Sequence, residues 1–305
     1  MRVLVLGGTG FIGRHVAAAL AARGHTVGIG TRHPRRARQR LPADLRNCEL
    51  HEAHFERLTE RASWHPLLAG YDAVVNAVGI LRERGAETYD AVHHLAPGAL
   101  AAACTFGGRR LVHISALGLH DGARSRFITS KLAGERAIAA SGARYSLVRP
   151  SLLDGESGYG TRWLHWFARW PVHFVPTEAR GRIAVMAVTD LGEAIAALCE
   201  RESEENEIEL GGSAAPTMGE YLAALRGGKA AWRVSVAPWL ARLVSHVCDF
   251  THFSPFSFGH LELLRRDNVP CPDALPRLLG REPLAILGRC EVVDLAPVAL
   301  RRPAL

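Results

Sequence analysis

Residues 3–23 read V-L-V-L-G-G-T-G-F-I-G-R-H-V-A-A-A-L-A-A-R, and the rest of the chain is organised around them. Four consecutive apolar residues, Val3, Leu4, Val5 and Leu6, suit a strand buried on both faces, as in a parallel sheet. Ile12, Val16, Ala17, Leu20 and Ala21 then recur at the spacing of one helix face, and Gly24 stands where such a helix would end. Between strand and helix, Gly7, Gly10 and Gly13 have the spacing G-x-x-G-x-x-G. Lacking a Cβ, Gly7 can turn sharply off the strand, Gly10 can let a pyrophosphate reach the backbone, and Gly13 can let the helix lie close on the sheet. The phosphates would meet free N–H groups at the positive end of the helix. Gly7, Thr9, Gly10, Phe11, Ile12 and Gly13 are therefore the first candidates for dinucleotide contact.

A second strand, residues 25–30, runs into T-R-H-P-R-R at 31–36. At this distance past a glycine turn, an acidic residue would bond the ribose diol of NAD(H), whereas an arginine accommodates a 2′-phosphate. No acid ends this strand. Thr31 and Arg32, with Arg35 or Arg36 behind, offer charge-assisted donors, so NADP(H) is expected in preference to NAD(H). Further strands are predicted at 48–52, 72–80, 111–115 and 145–149, the last closed by Pro150, with helices at 91–106 and 127–140. This alternation predicts an α/β fold with a doubly wound parallel sheet (a Rossmann domain). Open sheets of this kind bind ligands at the carboxyl ends of their strands, where Asn76, Ala77, Val78, Gly79, Ser115, Pro150 and Ser151 gather.

With 305 residues, 48% hydrophobic and 22% charged, the chain is long enough for one large core and a smaller lobe. The expected division is a dinucleotide-binding domain at 1–151, to which 183–210 return, and a smaller, mostly helical lobe at 152–182 and 211–305 for substrate or partner. No apolar run approaches the roughly 20 residues of a membrane span, so a cytoplasmic protein is expected, free or peripheral at the inner face of a membrane. Cys48, Cys104, Cys199, Cys248, Cys271 and Cys290 form no C-x-x-C pair and read as reduced thiols. The formal charge of +7 comes from arginines scattered over the whole chain, which argues against nucleic acid as a partner. His51 and His54, three apart on a strand, would face opposite sides and make a poor metal pair, so no metal is expected. His93 and His94 read as ordinary helix or surface residues.

Taken together, G-G-T-G-F-I-G (7–13), N-A-V-G-I-L (76–81), H-I-S-A-L-G (113–118), the pair Lys131 and Glu135, and V-R-P-S (148–151) resemble the extended and atypical short-chain dehydrogenase/reductase superfamily, which includes epimerase/dehydratase-like enzymes. The resemblance covers about the first half of the chain. Residues 183–199 are similar to the returning strand and helix of these proteins, with Asp190 as helix N-cap. Residues 250–269 and L-L-G-R-E-P at 278–283 look like the lobe of one branch, the NADPH-binding accessory subunit of respiratory complex I and its bacterial relatives.

The resemblance implies a site with one member missing. Catalytic relatives carry Y-x-x-x-K, with the lysine on the nicotinamide ribose and a serine orienting the substrate oxygen. Here Lys131 and Ser115 stand in those places, but the tyrosine position holds Phe127. Phenylalanine keeps the ring and loses the proton, and positioned acid–base chemistry is typically worth about 10²–10⁴-fold in rate. Three readings of Phe127 follow: a core aromatic beside a cofactor-holding lysine, a proton donor elsewhere such as Tyr89 or Tyr159, or Lys131 itself as the acid. His54 stands where an acid would bond the adenine amino group. The leading expectation is an NADP(H) holder with weak or absent catalysis. The rivals are an NADPH-dependent reductase or epimerase/dehydratase-like enzyme on a small apolar, quinone-like, isoprenoid or other small carbonyl substrate with a nonstandard proton donor, and a nucleotide-sensing regulator that binds a protein. In the lobe, Trp163, Trp166, Phe167 and Trp170 predict a core stripe in preference to an aromatic ligand pocket, whereas residues 234–258 mix apolar and basic residues as a groove wall or an interfacial patch for a membrane or partner.

Overall fold

The computed structural model describes residues 1–201, 205–227, 229–251 and 254–287, so Cys290 and the last part of the expected lobe lie outside the described residues. The first half alternates β1 (Arg2–Leu6), α1 (Phe11–Ala22), β2 (Thr26–Thr31), α2 (Pro34–Arg40), β3 (Glu49–Glu52), α3 (Arg61–Leu68), β4 (Ala73–Asn76), α4 (Ala96–Phe106), β5 (Arg110–Ile114), α5 (Arg126–Ala139) and β6 (Arg144–Pro150). There follow β7 (Leu153–Asp154), α6 (Tyr159–Ala168), β8 (Val172–Pro176), β9 (Met186–Ala187), α7 (Val188–Glu200) and β10 (Glu207–Leu210). The chain continues through α8 (Met218–Leu225), β11 (Trp232–Val236), α9 (Pro238–Thr251), α10 (Phe258–Leu263) and α11 (Ala274–Leu279). Seven parallel strands form one sheet in the order β10-β6-β5-β4-β1-β2-β3, the doubly wound arrangement that the alternation predicts.

Alternate residues of a strand face opposite sides of its sheet, and β1 feeds two cores. Val3 and Val5 join Val16 and Leu20 of α1 and Leu191 and Ile195 of α7. Leu4 and Leu6 join Trp64, Leu100 and Ile138 on the other side. Leu275 of α11 also belongs to the first core, so part of the expected lobe returns to the nucleotide-binding domain.

Three local features depart from the sequence expectations. Asp190 is not an N-cap: α7 is capped by the Ala187 backbone, and the Asp190 carboxylate in its first turn accepts from Arg281 and from the Leu284 N–H, at 2.8 and 2.7 Å. The helix expected from residue 91 opens as a π-helix over Asp90–Leu95. Pro97 has no N–H for the His93 carbonyl, and Gly134 of α5 packs so close to that carbonyl that a Cβ there would collide with it. Finally, the aromatic stripe of α6 is a core stripe only in part: Phe167 packs on the lobe core and Trp163 stacks on it at 5.4 Å. The inward positions of α6 are Thr161, Leu164 and Ala168, while Trp166 and the following Trp170 are exposed and lie edge to face at 4.9 Å.

Candidate nucleotide-binding and active site

The glycine turn has the geometry that a pyrophosphate needs. Gly7 has φ +73°, and its carbonyl accepts from the Gly10 N–H at 2.8 Å. A Cβ on Gly13 would strike that same carbonyl, which explains glycine at the point where α1 meets the sheet. No side chain caps α1, so the first-turn amides of Phe11, Ile12 and Gly13 are left for a ligand. Thr9 Oγ1 lies 3.2 Å from Thr31 Oγ1 and ties the turn to the end of β2. Ala77 and Val78 back the turn, and Asn76 shapes their backbone by accepting from the Val78 N–H at 3.0 Å.

Past β2, Arg32, His33, Pro34, Arg35, Arg36 and Glu52 line a cavity of about 600 Å³. The sequence places no acid at this strand end, but the fold brings two: Glu52 of β3, in register with Thr31, and Glu87, from the segment after β4, which pairs with Arg32. His54 sits between two carboxylates, 3.0 Å from Glu52 and 3.1 Å from Glu56. Glu56 Oε2 is buried without a hydrogen-bond partner among the described residues, so an acceptor stands two residues beyond the place where the superfamily pattern puts one. Among the described residues no group of ligands suits a metal ion; His51 bonds the Tyr71 hydroxyl at 2.6 Å instead.

The chemical half lies across the sheet edge, where α5 aims Phe127 and Lys131 from one face. Ser125 caps α5 by accepting from the Phe127 N–H at 3.2 Å, and Glu262 of α10 accepts from the Ser125 N–H at 2.7 Å, so the lobe fixes the start of this helix. The Lys131 ammonium lies 5.7 Å from the centre of the Phe127 ring, and no hydrogen bond or ion pair among the described residues involves it. Burial pushes it down to about 8, with Glu135 opposing. Ser115 Oγ is buried at the end of β5, also without a partner among the described residues. An unpartnered buried hydroxyl, an unpaired ammonium and an uncapped helix end on one sheet edge fit a dinucleotide and a substrate oxygen.

Phe127 is 8% exposed and packs against the rings of Tyr89, His93 and His260, at 6.0, 5.6 and 5.8 Å. It forms part of the wall of a cavity of about 470 Å³, with Arg82, Tyr89, Arg126, His246, Asp249 and Phe258 among the other lining residues. The Tyr89 hydroxyl donates to the Leu81 carbonyl at 2.7 Å, and burial, with Asp249 and Glu83 nearby, pushes its phenol up to about 12. Tyr159 is exposed at the start of α6 and is not among the residues lining this cavity.

His93, read from the sequence as an ordinary helix or surface residue, lies in a helix but not at the surface. It is buried; its Nε2 accepts from the Ile80 N–H at 3.1 Å, and its Nδ1 lies 3.1 Å from Ser130 Oγ. Burial, and then the Lys131 charge, hold it well below the usual histidine range. Pro97, four residues on, is the one sequence signal of the π turn in which it lies. His113 bonds Asn76 at 3.0 Å and is likewise lowered, by burial to about 3, and burial takes His260 to about 4. At the other end of the predicted set, Ser151 donates to the Asn268 carbonyl at 3.0 Å and Pro150 continues β6 beside β10, so this pair joins sheet to lobe.

A family described as NAD(P)H-binding matches residues 7–165, more than half the chain. The chain belongs to this NAD(P)H-binding family. A ceramide reductase of Caulobacter vibrioides (strain NA1000 / CB15N) is 30% identical over 198 residues, which span 65% of this chain and 60% of that protein. Among solved structures, a nucleoside-diphosphate-sugar epimerase from Staphylococcus aureus superposes with a TM-score of 0.72 at 17% identity, covering 93% of this NAD(P)H-binding protein and 98% of the epimerase. UDP-glucuronic acid 4-epimerase from Bacillus cereus, solved with UDP-glucuronic acid and NAD, gives 0.66 at 17% identity over 94% and 95%. These likenesses show that the chain has the fold of the sugar-nucleotide epimerases over nearly its whole length.

Proposed function

We propose that this protein is an NADP(H)-dependent reductase of an apolar carbonyl compound, with Lys131 as the acid in place of the absent tyrosine. The supporting observation is the Lys131 ammonium, unpaired among the described residues, brought down to about 8, and on the same sheet edge as the unpartnered Ser115 hydroxyl. An acid whose pKa lies near the working pH is the most effective kind. The other candidates are less suited: the Tyr89 hydroxyl already donates to Leu81, and both ring nitrogens of His93 are engaged. His93 is thus a positioning residue, joining residues 79–80 to α5.

A bound nicotinamide supplies the hydride. Ser115 hydrogen-bonds the carbonyl oxygen, and Lys131 gives that oxygen its proton, so the ketone leaves as an alcohol and the neutral amine regains a proton from solvent. The cluster of Arg32, Arg35 and Arg36 supports the 2′-phosphate of NADP(H), with Glu87 giving up Arg32 to it. The likeness to a ceramide reductase supports a ceramide-like substrate, and a cavity wall in which the Phe127 and Phe258 rings stand among Arg82, Glu83, Arg126 and Asp249 offers such a molecule both apolar and polar contacts.

The test is NADPH oxidation with a ketone-bearing ceramide analogue, run beside quinone and small ketones. Turnover is expected with the ceramide analogue, falling about 10²–10⁴-fold in Lys131→Met. Only the protonated lysine is an acid, so activity should be full below about 8 and fall as pH rises through that value. An unchanged profile in Lys131→Arg would sink the assignment. A second reading, a tight NADP(H) holder like the complex I accessory subunit that the lobe motifs resemble, is favoured by one observation: Phe127 closes the tyrosine position with three rings packed on it. The holder predicts co-purified nucleotide, no turnover, and a gain of turnover in Phe127→Tyr; the lysine-acid enzyme predicts little change in that variant.

A further inference from the structure

Helix α9 turns its apolar side outward. Its inward residues, Ala241 and Ser245, are small, and the buried Ser245 hydroxyl donates to the Arg242 carbonyl at 2.7 Å. Its outward residues are Trp239, Leu240, Leu243, Val244, Val247 and Phe250, with Trp239 69% and Phe250 89% exposed. At about 100° per residue these six occupy one sector of roughly 140°. The strand leading into the helix adds exposed Trp232 and Val234, and Val234 pairs in register with exposed Phe174 of β8. No helix among the described residues is long and apolar enough to cross a membrane.

We propose that the outer face of α9, with Trp232, Val234 and Phe174, seats this protein on the surface of an anionic lipid bilayer. Charge selects this occupant. Residues 226–250 contain Arg226, Lys229, Arg233 and Arg242 and one acid, Asp249, which is drawn to Arg82 at 3.3 Å; Arg242 faces Glu178 at 3.9 Å, so the cationic excess sits at Arg226, Lys229 and Arg233, around the strand that leads into the helix. A second copy packed on the same face by a two-fold axis would set these cations against themselves. An anionic bilayer accepts both parts: rings and aliphatic side chains at the level of the headgroups, and cations against lipid phosphates. The flank of the same helix next to Trp239, through His246 and Asp249, lines the cavity above Phe127. Docking would therefore set that cavity beside the lipid from which an apolar substrate comes. This last link rests on the reductase reading; the docking itself does not.

The experiment uses the full-length protein and sucrose-loaded vesicles of phosphatidylcholine, with or without about 30% phosphatidylglycerol, followed by sedimentation. Partition is expected to be about ten-fold stronger on the anionic vesicles at ~0.1 M salt and to weaken at higher salt. Trp239→Ser with Phe250→Ser should cut it about ten-fold or more, with NADPH titration unchanged as the check on folding. Leu243→Glu serves as a second variant and should also weaken partition, since it removes apolar surface and adds a charge that the anionic lipid repels. Native protein that ignores both vesicle types, or variants that bind as well as native, would overturn the proposal. So would self-association in sedimentation velocity that the double variant abolishes, because the face then belongs to a second copy. Turnover of a water-soluble ketone without vesicles separates failure here from failure of the reductase reading.

Discussion

Helices α1 and α9 both carry a clear apolar stripe, and they use it in opposite ways. In α1, Val16, Ala17 and Leu20 are buried under α7 and the sheet; in α9 the buried positions are Ala241 and Ser245, and the stripe faces solvent. Helical periodicity states that one face is apolar but not what covers it. For α1 the covering is settled by its neighbours in sequence, because a buried strand and a three-glycine turn leave the helix one place to lie. For α9 the preceding strand belongs to a two-stranded ribbon, and its small inner face suits close packing rather than a core. An apolar stripe with a core beneath it holds the fold together. One without a core points to something outside the chain.

The comparison breaks most sharply at Gly13. Gly13→Val puts a branched side chain against the Gly7 carbonyl, which is backbone and cannot move aside cheaply. A loss of about 3–5 kcal/mol in chemical denaturation, together with loss of NADPH binding, is expected. Near-native stability and affinity would mean that the close approach of α1 to the sheet does not matter. Leu20→Ala comes next. It hollows the core under α1 and should cost about 2–5 kcal/mol while leaving the residues of the nucleotide site in place.

This ranking also marks what the sequence could say. The strands, the glycine turn, α5 with Phe127 and Lys131, and the basic end of β2 are local patterns, and each is found within a few residues of its expected place. The contacts that give those residues their chemistry come from elsewhere in the chain. Glu87 reaches Arg32 across 55 positions, Glu262 holds the start of α5, and His260 packs on Phe127. None of these leaves a spacing that periodicity could reveal. His93 is buried within a π turn, and Pro97 alone hints at that turn. In α6 a stripe was visible but not the covering of each ring: Phe167 packs on the lobe core, while Trp166 and Trp170 face outward.

An intermediate effect is expected at the 2′-phosphate cluster. Arg32→Ala should remove a charge-assisted contact worth about 1.5–3 kcal/mol and with it most of the preference for NADPH over NADH. Glu87→Gln should act the other way and tighten NADPH a few-fold, since it frees Arg32 and removes a like charge from the phosphate. Fluorescence titration of both nucleotides reads the two effects. Equal affinities in the native protein would sink the assignment of this cavity.

The smallest effect is expected where the side chain is largest. Trp239 offers more apolar surface than Leu20, so if burial against the protein decided its role, Trp239→Ser should cost more than Leu20→Ala. At 69% exposure it has little packing to lose, and surface substitutions of this kind usually fall within about 0.5 kcal/mol. The expected change in stability is therefore close to zero, and recovery of soluble protein should rise as an exposed ring is removed. Equilibrium denaturation in urea, with the midpoint and slope compared between native and variant, makes the measurement. A loss above about 1 kcal/mol at unchanged slope would show that the ring is covered by this chain in solution, and the contrast between α1 and α9 would collapse into two ordinary core helices.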